Sequence, residues 1–301
     1  MISPETPDSG TAPLQDDAAR KRTIISLLVL VAFFGALLYD YWPDLLQVAA
    51  SAVNRTREIG ATPVQSRHLE ARNLSTASPG QVNAALAVLE QQYRVITDYL
   101  EVTPEEPLPV LFVDGSLPAF DDGSQLVINV NRGVVDTDVA PIFMVLMVDQ
   151  IKVNLAGQFI PAGGYALYVV EASGLGNRLT GQPVDNWVAL IRSRQVYIPL
   201  EEAWAMKVPS DDNGAYALLR AMLESGSFMR WFATTYSLDS ARLVANGETV
   251  EKVTGKTLAE NETAWLASLD RRKLHPRPCA AVIPSTSMFS FMCPKLDSGL
   301  K

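Results

Sequence analysis

Hydrophobic and polar positions follow different periods along the chain. Thr23 to Tyr39, TIISLLVLVAFFGALLY, is apolar apart from hydroxyls and meets no charge until Asp40. About 17 residues at a rise of roughly 1.5 Å cover about 26 Å, the short end of a bilayer-crossing helix. Arg20-Lys21-Arg22 precedes this run, no further cation follows until Arg55, and Tyr39, Tyr41 and Trp42 stand where interfacial aromatics belong. The pattern predicts a cytoplasmic, disordered tail over 1–22, a single transmembrane anchor held by membrane lipid over 23–42, and a juxtamembrane connector over 43–66. The N-terminus then faces the cytoplasm, and the bulk of the chain lies outside the cytoplasmic (inner) membrane, in a periplasmic or extracellular space. Ala50-Ser51-Ala52 has the small-x-small form of a cleavage site, but Trp42-Pro43-Asp44 separates it from the apolar run.

Beyond the connector the periods become those of a folded domain. Ser78-Pro79-Gly80-Gln81 reads as an N-cap, a first-turn proline and a capping-box glutamine. Val82, Leu86, Leu89, Tyr93, Ile96 and Leu100 then fall at alternating steps of four and three, one buried stripe of a helix. LPVLFVDG (108–115) and QLVINVN (125–131) read as strands, with Asp121-Asp122-Gly123 as a hairpin turn between them. APIFMVLMVDQIKVNL (140–155) predicts a core helix, the run Pro161-Ala-Gly-Gly a turn, and Tyr165 to Ala172 a second, short buried helix. Further helices are expected over 186–193, from Pro199, over 214–236 as one or two pieces, over 240–246, over 248–253 and over 257–269. Prolines at 276, 278, 284 and 294 end regular structure in a tail over 271–301. The fold class is α+β: a small sheet followed by a helix-rich lobe, the folded domain occupying 67–270.

Composition narrows the function. The 301 residues are 48% hydrophobic and carry a net charge of −8, which supports a packed core and removes a nucleic acid as partner. Two His and two Cys exclude zinc fingers, iron–sulfur clusters and any multi-histidine metal site. Cys279 and Cys293 close a short loop and predict a disulfide, which an oxidising compartment would preserve. No G-x-S-x-G elbow and no phosphate-binding glycine loop occurs, and a serine triad would have to recruit His68 or His275 from the flanks. Glu201-Glu202 at a helix start suits the helix dipole better than a glycosidase couple, and Asp121-Asp122-Gly123 lacks the remaining ligands of a calcium loop.

Three stretches carry a family resemblance: the core helix MVLMVDQIKVNL (144–155), the segment GYALYVVEASGL (164–175), and the helical run from Ala215 to Leu269 with Trp265 near its end. In this order they resemble the gluzincin-type, peptidase MA-like metallopeptidase domain, over roughly residues 67–270. That family holds zinc with two histidines one helical turn apart and a glutamate from the next helix, with a glutamate as general base. The resemblance sets Val148 and Lys152 at the histidine positions, Asp149 at the general base and Glu171 at the third ligand. Valine cannot bind zinc, a lysine ammonium repels it, and no histidine lies between His68 and His275. The resemblance therefore implies a zincin-like scaffold without its metal: no cofactor, no metal and no catalytic residue. Lys152 is expected to stand where the ion's charge would be and to pair with Glu171, with Asp149 one turn away. The expected function is noncatalytic binding of a peptide or protein partner along a sheet edge by a membrane-anchored pseudopeptidase. A divergent membrane-bound hydrolase using Asp149 and Glu171, and a structural subunit of a membrane complex, are the alternatives.

Overall fold

The computed structural model describes residues 62–114, 120–121, 125–131, 134–135, 137–151, 159–176, 180–207, 212–283 and 293–298. The predicted tail, the anchor over 23–42 and Lys152 lie outside the described residues. Among the described residues no helix is long and apolar enough to cross a membrane.

The architecture is α+β, a small sheet followed by a helix-rich region. Strands β1 (Thr62–Gln65), β2 (Leu69–Asn73), β3 (Leu108–Asp114), β4 (Phe120–Asp121), β5 (Gln125–Asn131) and β6 (Val134–Val135) form one sheet in the order β1-β2-β3-β5-β4, with β6 also on β5. The central pairs β2–β3 and β3–β5 are parallel, and β1, β4 and β6 add antiparallel edges. Parallel pairing of β2 and β3 requires a crossover, which the helix α1 (Pro79–Leu100) supplies. Its capping box forms as the sequence predicts, Ser78 with Gln81, and all six stripe residues are buried.

Two sheet expectations are corrected. β1 and β2 are strands that the sequence pattern did not announce, and β1 occupies the end of the stretch expected as connector. The two predicted strands, β3 and β5, run parallel, so no hairpin joins them; β4 instead pairs antiparallel with β5, Asp121 opposite Gln125.

The helical region begins with α2 (Ala140–Val148) and α3 (Phe159–Ala172). The helix expected over 140–155 stops at Val148 because Gln150 takes a left-handed conformation, φ +53°. The Ile151 amide donates to Leu146 O at 2.8 Å and the Gln150 amide to Met147 O at 3.1 Å, the paired closing bonds of a Schellman motif. Ile151, buried beside the last turn, completes it. The expected turn Pro161-Ala-Gly-Gly is the first part of α3. Its glycines serve a close approach: a Cβ on Gly164 would lie 2.3 Å from Ser225 Oγ, on the long helix α6 (Asp212–Thr235).

The remaining helices are α4 (Val184–Ser193), α5 (Leu200–Trp204), α7 (Leu238–Ala245), α8 (Val250–Thr254), α9 (Leu258–Asp270), α10 (Cys279–Val282) and α11 (Cys293–Ser298). One apolar core runs from Leu69 and Phe112 in the sheet, through Tyr165 and Trp187, to Phe228 and Trp265. Cys279 and Cys293 form the predicted disulfide, and Ile283 and Leu296 join the same core. The described residues 279–283 and 293–298 are thus packed onto the body.

Candidate functional site

The ends of three elements enclose an open groove of about 730 Å³. One wall is the stretch from Val102 to Pro109, which leaves the end of α1 and enters β3; the other is Met147 to Gln150 at the end of α2. Arg242, on α7, borders it from the helical side.

Asp149 lies against this groove, its side chain only 4% exposed. A buried carboxylate at a helix C-terminus opposes the helix dipole and needs compensation. Two groups provide it. Arg242 Nε stands 2.7 Å from Asp149 Oδ1, and the Tyr165 hydroxyl, on α3, donates to Oδ2. Burial and then the Asp149 charge push the Tyr165 hydroxyl far above the ordinary phenol range, so it stays a donor. Burial works against the Arg242 charge, but its contacts with Asp149 overcome it and raise its pKa. Arg242 Nη1 also donates to Asp239 at 2.7 Å. With both carboxylate oxygens engaged, Asp149 positions a guanidinium and is in poor condition to serve as a general base.

Glu171 belongs to a different network. Its Oε2 accepts from the Val184 amide, the first residue of α4, at 2.6 Å, and its Oε1 accepts from Arg230 Nη1 at 2.8 Å. Arg230 reaches on to Asp185, 3.2 Å away and nearly fully buried. Asp185 also accepts from Ser227 Oγ at 2.5 Å and from Arg272, and Trp265 Nε1 donates to Ser227 Oγ at 3.2 Å. Burial raises the Glu171 carboxyl above its usual range, against the pull of the Val184 amide and Arg230. This chain of polar groups ties α3, α4, α6 and α9 together.

Of the positions singled out by the sequence, Val148 and Asp149 therefore border the groove, and Glu171 joins the α4 network with both oxygens occupied. Lys152, expected as its partner, lies outside the described residues. The two histidines do not converge on these positions. His68 Nδ1 lies 2.9 Å from Glu90 Oε2 and its ring stacks on Tyr93 at 5.4 Å, while His275 is exposed after α9. Ser66 donates to Glu90 rather than to the imidazole, so Ser66, Glu90 and His68 do not make a nucleophile–base pair. Among the described residues no group of His, Cys, Asp and Glu is arranged to hold a metal ion. Sequence reasoning missed Arg242, Arg230 and Asp185 because each meets its partner only through tertiary packing; Tyr165 was visible only as the start of a short buried helix.

No family model, no curated protein and no solved structure matches the chain.

Proposed function

We propose that this chain is a membrane-anchored, extracytoplasmic module on a degenerate gluzincin-type scaffold, and that it binds a peptide or protein segment without cleaving it. The groove beside Asp149 carries this reading. It falls in the usual size range of ligand sites, and the acid beside it is immobilised by Arg242 and Tyr165. The anchor rests on the apolar run over 23–42 and the cations before it. The separate placement of Asp149 and Glu171 weighs against a hydrolase that would use both.

The groove opens beside the first residues of β3, a strand paired on both sides, so the partner would be held by side chains and helix ends rather than as an added strand. The test is an array of unstructured peptides probed with the full chain in detergent micelles, alongside Thr103→Trp, an exposed position whose indole would fill the groove. Peptides bound intact by the parent and lost in the variant are expected. Binding unchanged by the variant contradicts the reading.

A further inference from the structure

The electrostatics of this groove point to the class of partner, an inference that rests on the binding function proposed above. Among the described residues three carboxylates border it, Glu105, Glu106 and Asp149, against one guanidinium, Arg242. That guanidinium is already engaged by Asp149 and Asp239, whereas Glu105 and Glu106 are exposed and take part in no ion pair among the described residues. The backbone adds to the same sign. Helices α1 and α2 both end at the groove, and neither has a basic residue in its last turn, so the negative ends of two helix dipoles add to the potential there, with Arg242 beside the end of α2.

Hydrogen-bonding capacity agrees with the charge. Pro104, Pro107 and Pro109 occupy one wall and offer carbonyl acceptors with no N–H donor. A negative cleft with such acceptors is complementary to side chains that only donate and carry positive charge, which are lysine and arginine. Val102, Met147 and Val148 give apolar surface on which the aliphatic stems of such side chains can lie. We infer that the partner is an extended peptide segment bearing lysine or arginine, its cationic groups at Glu105 and Glu106 and its stems along the apolar wall.

The test is fluorescence anisotropy with the full chain and three probes: a short peptide alternating lysine and alanine, its glutamate counterpart, and spermine. The lysine peptide should bind, the glutamate peptide should not, and affinity should fall as salt is added. Glu105→Gln with Glu106→Gln, both exposed positions, should weaken the lysine peptide about tenfold. Equal binding of the two peptides, indifference to the double substitution, or spermine binding as tightly as the lysine peptide overturns the assignment. Peptide binding that Thr103→Trp abolishes but charge does not affect would defeat this inference and leave the groove reading standing. Binding that ignores Thr103→Trp would defeat both.

Discussion

Asp149 shows how one residue's role depends on neighbours that are remote in sequence. It ends a helix, it is nearly excluded from water, and its two oxygens are satisfied by Arg242 and Tyr165. Asp149→Ala removes the anion and leaves a partly buried guanidinium and a buried hydroxyl without their main partner. Stability should fall by about 2–3 kcal/mol, below the fully buried range because Arg242 is partly exposed. Thermal unfolding checks this, and an unchanged midpoint would show that the cluster contributes nothing to the fold. Glu224, on α6, is a second buried acid with a different signature. Its Oε1 accepts from the Ile198 amide at 3.2 Å, while Oε2 has no hydrogen-bond partner among the described residues. Burial holds its carboxyl well above the ordinary range, against the pull of the Ile198 amide and Arg220.

The folded chain therefore keeps a proton on Glu224 that the unfolded chain releases above about pH 4.3. Folding takes up a proton over that interval, so stability declines as pH rises from there until the folded carboxyl itself titrates. Glu224→Gln abolishes this loss. Its melting temperature should exceed the parent's by about 2–4 °C at about pH 8, corresponding to about 1 kcal/mol, and the gap should narrow toward about pH 5. A gap that stays constant with pH would remove Glu224 as its source.

At the scale of elements, what was legible in the sequence is what local periodicity encodes. The stripe from Val82 to Leu100 and the runs at 108–114 and 125–131 formed the helix and strands they predict. The misreadings share a cause: the deciding interaction lies elsewhere in the chain or in a residue type that carries no signal. β2, LEARN, alternates buried and exposed positions, but three of its five residues are charged or amide-bearing, and its partners are 35 or more residues away or on the short β1. α2 stops at a glutamine in the left-handed conformation, where glycine would have announced the stop.

Gly163 and Gly164 look like a turn in isolation and are helical because α6 packs against them. The two glycines should respond differently to alanine. A Cβ on Gly164 would meet the Ser225 side chain and its backbone carbon, 2.7 Å away, and α6 cannot yield without moving as a unit. A Cβ on Gly163 would meet chiefly the flexible end of Met222, 2.8 Å away. Gly164→Ala should cost about 3 kcal/mol. Gly163→Ala should be near neutral, its contact offset by about 1 kcal/mol of helix propensity. Thermal unfolding of the two variants separates them, and equal losses would contradict the packing account.

Across the whole molecule, the C-terminal segment closes the helical region. Asp297 on α11 accepts from the Cys279 and Ala280 amides at 2.6 and 2.9 Å, and Gln182 exchanges hydrogen bonds with the Arg277 backbone. Cys279 is fully buried and Cys293 nearly so. Replacing both cysteines by serine should cost about 3 kcal/mol in the chain-entropy description. Trypsin should then cut more rapidly after Lys295, on α11, than in the oxidised parent; identical digestion patterns would mean that the segment is held without the disulfide. Asp149 and Glu171 could be singled out in the sequence, whereas the split of the two acids between separate networks depends on Arg242 and Arg230, which approach from later helices.

The central claim is that the groove beside Asp149 binds a peptide and does no chemistry on it. Mass spectrometry of the lysine–alanine peptide, incubated with the full chain plus zinc and in parallel plus a chelator, tests both halves together. Recovery of uncut peptide in complex with the chain under both conditions is the predicted result. Fragments that appear with zinc and vanish with the chelator would contradict it.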